Sequence, residues 1–336
     1  MTKEEINQLY NSLSTKATSQ GSELIETHIS WVILSDEFAY KIKKPLNLHF
    51  LDFSSLAARK QSCEVEFELN RRLAKEMYLG VLPVRKNGKS WQIGEGQGEI
   101  VDYAVWMKRM DLETEMPRML AHNKVKPSHI NQLARQVAHF HQEAKVVKPG
   151  WDKEELKKEF NDLISTIDIV IEELGEKYGD LLNEALIISD VFLDKYWPRI
   201  QERIEAGYIR NVHGDLHAGN IFLTEKPIIF DCIEFNEEFR HIDLLNEVAF
   251  FCMDMEAHHR NDLSKLFLEA YLNEMGNSVQ VFDGDLFDYF KAYRANVRAK
   301  VKSLAAMQAT GDQKYKLMEE VKNYLLLMKS YLIHLV

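Results

Sequence analysis

The sequence predicts an α+β chain in two lobes, a small β-rich one followed by a large helical one. Three observations carry this. Strand and turn signals dominate up to about residue 107, and a short polar bridge follows at 108–112. Beyond it, over 113–336, apolar residues recur at helical spacing, interrupted by one strand-rich segment at Val212–Phe235.

In chain order, residues 3–13 read as a short helix and Ser12–Ser22 as a loop of Ser, Thr and Gly. His28–Leu34 is β-branched and aromatic, and Phe38–Lys43 is its hairpin partner across Ser35-Asp36-Glu37. Pro45–Phe53 connects to a helix that Ser54 can cap and that runs to about Met77. Val81–Val84 and Ser90–Ile93 are short strands turned at Asn87-Gly88, a pair suited to the positive φ of a tight hairpin. Ile100–Met107 is the next strand. Helical periodicity is clear in Ile130–Ala144, Lys153–Leu174 and Asp180–Ala206. Asp243 caps a helix to about Met255, and helices continue from Asp262 to the end. No internal repeat is visible.

Composition narrows the function classes. Hydrophobic residues make up 46% of 336 and charged residues 28%, ordinary for a globular protein. Lys plus Arg number 42 against 52 for Asp plus Glu, a formal charge of −10. This balance disfavours nucleic-acid backbones and anionic membranes as partners, and suits a small neutral or cationic one. Cys63, Cys232 and Cys252 are odd in number and widely spaced, which argues against a disulfide framework or a zinc site. The first residues are polar, and no apolar run reaches the length of a membrane span, so a reducing cytoplasm is expected.

The chemistry concentrates in His213-Gly214-Asp215-Leu216-His217-Ala218-Gly219-Asn220, followed by Ile221–Leu223 and Ile228–Asp231. The two apolar stretches form short strands joined by Thr224-Glu225-Lys226-Pro227, and the hairpin brings Asn220 and Asp231 together at its open end. An amide oxygen and a carboxylate converging there suit Mg²⁺, which prefers oxygen ligands and keeps several waters. Asp215, on the loop entering the hairpin, can accept a proton from a hydroxyl aligned with the γ-phosphate of ATP.

His213–Asn220 matches the HGDxHxxN motif, and by it the chain resembles the aminoglycoside phosphotransferase and choline kinase superfamily, whose fold is protein-kinase-like. Ile242–Ala249 is similar to the family's downstream Asp-Pro-x-x-Asp-Leu-Ala stretch. Tyr40–Pro45 and Phe230–Asn236 resemble a bacterial branch of aminoglycoside-phosphotransferase-like proteins. Some members of that branch carry an added P-loop kinase domain; no GxxxxGK[ST] occurs here, so that domain is expected to be absent. The resemblance covers roughly residues 25–255.

It implies a strand lysine on the α- and β-phosphates, held by a helix glutamate. Ala39-Tyr40-Lys41 sits like the family's Ala-x-Lys, and Lys43, on the same strand face, is the alternative. Cys63, Glu66, Phe67, Asn70 and Leu73 share one helix stripe, which favours Glu66 over Glu64 and Glu68. Met107-Lys108-Arg109-Met110 would bridge the lobes, and the backbone of Met107 and Lys108 would meet the adenine edge. His213 and His217 are expected to support the catalytic loop, and Asp243 to cap its helix and support the same loop. Glu234 stands open between the metal, a cationic substrate and a salt bridge. His258-His259 reads as a solvated helix end. The Gly-rich loop of protein kinases is absent between the first strands.

The expected activity is Mg²⁺- and ATP-dependent phosphorylation of a hydroxyl on a small molecule. The helices at about 151–207 and after 255 would wall the acceptor pocket, and acidic side chains there would favour an amine-bearing, cationic acceptor. The sequence leaves ATP versus GTP, the acceptor and the oligomeric state open. Nucleotidyl transfer on the same fold and a nucleotide-binding regulator are the alternatives.

Overall fold

A computed structural model describes residues 1–14, 22–48, 51–276 and 282–335; most of the Ser12–Ser22 loop and part of the Pro45–Phe53 connector lie outside them. The elements run α1 (Lys3–Ser14), β1 (Glu23–Glu26), β2 (Ser30–Leu34), β3 (Phe38–Lys43), β4 (Asn47–Leu48), β5 (Leu51–Asp52), α2 (Leu56–Ala74), β6 (Tyr78–Asn87), β7 (Ser90–Ile93), β8 (Glu99–Lys108) and α3 (Met116–Ala121). They continue with α4 (Pro127–Glu143), α5 (Lys153–Asn161), α6 (Ile167–Leu174), α7 (Glu176–Glu205), β9 (Ile209–Asn211), β10 (Ile221–Phe222), β11 (Ile228–Ile229) and β12 (His241–Asp243). The chain closes with α8 (Leu244–Ala257), α9 (Asn261–Glu274), α10 (Gly284–Gln308) and α11 (Gly311–Leu332). The chain divides into two compact units, Met1–Lys124 with Gly219–Phe239, and Val125–Ala218 with Arg240–Val336.

The first unit is built on an antiparallel sheet ordered β1-β2-β3-β8-β6-β7. Strand alternation assigns its two faces. Trp31, Ile33, Ile42, Val84 and Ala104 pack with Ile6 and Leu9 of α1, while Leu34, Ala39, Val105 and Met107 pack with Cys63 and Ala74 of α2. In β3, therefore, positions 39, 41 and 43 all look towards α2. Ser55, one residue later than expected, caps α2 by accepting the Ala58 N–H at 3.1 Å. The β6–β7 hairpin turns at Gly88, whose φ of 59° a side chain would resist.

The second unit is helical. Its core joins Phe160, Leu182, Phe192, Phe250, Ala295, Val321 and Leu325 from α5, α7, α8, α10 and α11. One expected helix is broken: Lys153–Leu174 passes through a 3₁₀ turn at Asp162–Thr166. There Ser165 and Thr166 hydroxyls donate to the Asp162 and Leu163 carbonyls, at 2.7 and 2.8 Å, in competition with the helical ladder. The strand β12 pairs with β9, which leads directly into the His213–Ala218 loop.

Candidate active site

Lys41 and Lys43 both reach Glu66. The Lys41 ammonium lies 2.8 Å from Glu66 and 2.5 Å from Asp231. Lys43, whose side chain has no exposure, pairs with Glu66 and Glu234 and lies 5.5 Å over the Phe53 ring. The stripe that turns Glu66 inwards leaves Glu64 and Glu68 exposed. Burial alone would depress the Lys41 ammonium, but Asp231, Glu66 and Glu234 hold its pKa well above the ordinary lysine value. Burial works against ionisation of Glu66 too, and the two ammonium groups overcome it, lowering its pKa. Glu234 shifts upwards, its burial outweighing Lys43. Enclosed at 3% side-chain exposure, Glu234 is an ion-pair partner of a lysine.

Asp231 is the part of this network that opens to solvent, with its side chain 43% exposed. Its φ of 62° is left-handed, an uncommon state for a residue other than glycine. Two side chains hold the backbone there: Tyr78 Oη accepts the Asp231 N–H at 3.3 Å, and Asn70 Oδ1 accepts the Cys232 N–H at 2.9 Å. A backbone outlier that long-range contacts enforce marks a residue whose aim matters. The β10–β11 hairpin pairs Ile221 with Ile229, and Phe230 N–H donates to the Asn220 carbonyl at 3.0 Å, so Asn220 and Asp231 flank the same hairpin end. Among the described residues no group of three or more His, Cys, Asp or Glu side chains forms a ready cage. One carboxylate and one amide fit Mg²⁺, which takes few protein ligands and completes its shell with water and substrate phosphates.

At the bridge, Met107 is a buried residue in the middle of the sheet, opposite Ala39 and Tyr78. Lys108 N–H donates to Met77 and Arg109 N–H to Glu37, both at 2.8 Å. Those two N–H donors are committed, which narrows the bridge backbone groups that could meet an adenine edge. The Ser35 hydroxyl is likewise used within the β2–β3 turn, donating to the Phe38 carbonyl at 3.0 Å, and Arg109 ties that turn down by donating to the Ser35 carbonyl at 2.8 Å.

In the helical unit the His213–Ala218 loop is braced from several helices. Glu247 of α8 accepts the Gly214 N–H at 2.6 Å and contacts His141 of α4 at 2.7 Å, and His141 meets Tyr271 of α9 at 2.9 Å. Asp254 accepts the Ala218 N–H at 2.8 Å, and Arg294 of α10 donates to the Gly214 carbonyl at 3.1 Å. His213 is buried, and its Nδ1 accepts the Asp215 N–H at 3.2 Å. Asp243 caps α8 by accepting the Leu245 N–H at 2.8 Å and takes two bonds from the buried Arg203, at 2.6 and 2.8 Å. Asp215 itself is half-buried, 3.4 Å from His217. Burial opposes its ionisation, but His217, Arg298 and His213 pull its pKa below the ordinary carboxylate range.

Glu247 stands where the resembled family has its second Asp, a signal present in the sequence but left unread. Asn70 lies on the stripe already read with Glu66, while Arg294 and Arg298 lie one turn apart on α10, a spacing that could have paired them on one helix face. Tyr78 and Asp254 carry no local signal. His258 and His259 are exposed at the end of α8.

The chain is 29% identical over 287 residues to uncharacterized proteins of Mycobacterium tuberculosis (Rv2004c) and Mycobacterium bovis (Mb2027c), a match covering 84% of this chain. It spans about half, 55%, of those relatives' length. Among solved structures it is similar to a choline kinase from Cryptosporidium parvum, with TM-score 0.53, 12% identity, and 98% and 96% of the two chains covered. It is also similar to an aminoglycoside 2'-phosphotransferase-IIIa in complex with GDP, with TM-score 0.51, 13% identity, and 96% and 97% covered. At these identities the likeness shows the fold, which is protein-kinase-like and α+β. No helix among the described residues is long and apolar enough to cross a membrane. Residues 50–282, most of the sequence, match the phosphotransferase enzyme family, APH, and the chain belongs to that family.

Proposed function

We propose that this chain transfers the γ-phosphate of ATP to a hydroxyl of a small molecule. The observation that carries the reading is Lys41, held 2.8 Å from Glu66 and 2.5 Å from the left-handed, solvent-facing Asp231. A lysine fixed by one carboxylate and poised beside another suits phosphate next to metal. Lys43 lacks that access, since both its partners are enclosed. Bound at Asp231 and Asn220, Mg²⁺ would neutralise charge on the phosphates. Lys41 would orient the α- and β-phosphates, and Glu66 would keep Lys41 in place. The adenine edge would lie on the bridge backbone, with Met110 supplying the amide that Lys108 and Arg109 cannot; GTP suits the same phosphate groups.

Asp215 is the acceptor's base. Its lowered pKa keeps it ionised at neutral pH, so it accepts the hydroxyl hydrogen bond throughout and takes the proton as the acceptor oxygen bonds the γ-phosphorus and the bond from that phosphorus to the departing ADP breaks. His213, Glu247, Asp254 and Arg294 fix its loop. A small-molecule acceptor agrees with the choline and aminoglycoside substrates in the names of similar structures and with a net charge of −10 that disfavours nucleic acid. Three buried cysteines suit a reducing cytoplasm.

Parallel incubations of a metabolite extract with γ- and α-labelled ATP and Mg²⁺ test the reading. Label in a small product from γ-labelled ATP alone is the expected result. Transfer from α-labelled ATP would replace it with nucleotidyl transfer. Tight Mg·ATP binding without transfer would indicate a regulator.

A further inference from the structure

The proposed role of Asp215 as base leaves the acceptor's charge open, and the surroundings of that residue narrow it. Within the helical unit, the groups acting on Asp215 are His217 at 3.4 Å, Arg298 and His213, and Arg294 feels the Asp215 charge in turn. The two arginines face the loop from adjacent turns of α10. Arg294 spends its donors on neutral oxygens, the Asn246 amide at 2.6 Å and the Gly214 carbonyl at 3.1 Å, with its guanidinium 4.7 Å over Phe250. Arg298 meets His217 Nε2 at 3.5 Å and the Tyr324 phenol, and its buried Nε has no hydrogen-bond partner.

The carboxylates whose charge reaches these arginines are Asp215, Glu247 and Glu159 at Arg294 and Asp254 and Asp215 at Arg298, and none is ion-paired with either guanidinium among the described residues. Asp254, in the field of Arg298, accepts from Ala218 N–H, and Glu247 is taken by Gly214 and His141. A cationic acceptor would have to bring its charge against the Arg298 guanidinium. The overall charge of −10, which favours cations at long range, is screened there and does not set the local field. A planar guanidinium with an unused, buried N–H is the group that receives a carboxylate or phosphate oxygen.

We propose that Arg298, with His217, recognises an anionic group on the acceptor, a carboxylate or phosphate ester close to the hydroxyl presented to Asp215. This deepens the phosphotransferase reading and rests on it. Arg298 is a specificity residue, while the proton stays with Asp215.

A deproteinised extract, freed of nucleotides on charcoal and split by ion exchange at pH 7 into anionic, neutral and cationic pools, tests the proposal. Each pool is incubated with the wild-type chain, Mg²⁺ and γ-labelled ATP. Labelled product is expected from the anionic pool; phosphatase treatment beforehand removes that acceptor if it is a phosphate ester and spares it if it is a carboxylate. Arg298→Gln should raise the apparent KM for that pool about ten-fold or more with kcat within about three-fold, and Arg298→Lys should recover part of the loss. Thermal unfolding of both variants reports whether they fold, and the pool separation stands without them. Product from the cationic or neutral pool alone would overturn the proposal, as would an Arg298→Gln effect confined to kcat. No product from any pool would instead set aside the phosphotransferase reading, and the proposal would fall with it.

Discussion

Two clusters of buried charge, one in each unit, are built on opposite plans. In the β-rich unit Lys41 and Lys43 each contact two carboxylates and share Glu66, so both ammonium groups are ion-paired and the network holds its geometry without a ligand. In the helical unit Arg294 and Arg298 rest on an amide, a carbonyl, an imidazole and a phenol, with Asp215, Asp254 and Glu247 nearby but none ion-paired with either guanidinium. The ion-paired cluster suits an invariant task, placing the phosphates of one nucleotide. The other suits recognition, since its electrostatics are completed by what binds. On the proposed reading, the first cluster would place the nucleotide and the second would select the acceptor.

Substitutions can break this contrast, beginning with the largest effect. Asp231→Ala removes the one solvent-facing carboxylate of the ion-paired cluster, and transfer of label from γ-labelled ATP should fall by at least about 10³-fold. Nucleotide binding should also lose its dependence on Mg²⁺ against an EDTA control. Asp215→Asn should lower kcat by about 10²–10⁴-fold while the Kd for Mg·ATP changes little, because the base belongs to the other cluster.

Glu66→Gln leaves two buried ammonium groups short of a partner and should destabilise the chain by about 3–5 kcal/mol in urea unfolding. The two lysines should then separate. Lys41→Met should raise the KM for ATP, whereas Lys43→Met should act chiefly on stability.

Acidification sharpens the comparison further. The folded-state pKa of Asp215 lies below its unfolded value near 4, so its contribution to stability is complete above about pH 4 and lost only as pH falls below that. Between pH 5 and 7, any fall in kcat should come from a group other than Asp215, and a pH–rate profile of the wild type checks this. The smallest effect belongs to Glu64→Gln on the exposed face of α2, which should stay within about 0.5 kcal/mol of wild type in the same urea titration.

How much of this was legible in the sequence follows from the range of each interaction. The period of two in β3 put Lys41 and Lys43 on one face, and the phase of α2 turned Glu66 inwards; both are local patterns that survive folding. The hairpin after Asn220 was readable from two apolar pairs and a Pro-containing turn. The broken helix at Asp162–Thr166 was missed because apolar periodicity runs through it while two hydroxyls redirect the ladder. The braces were missed for another reason. Asn70 bonds the backbone 162 residues away at Cys232, and Arg294 reaches back 80 residues to Gly214. No local pattern announces a partner at that distance, and the charge around Asp215 became visible only when α10 met the loop.

The most direct test follows ADP formation from Mg·ATP on addition of a nucleotide-free metabolite extract, comparing wild type with Asp215→Asn at matched nucleotide occupancy. Acceptor-dependent ADP with the wild type, lost in Asp215→Asn while Mg·ATP still binds, is the expected result. Equal ADP formation by the two proteins would contradict the assignment of Asp215 as the base and, with it, the phosphotransferase mechanism built around that residue.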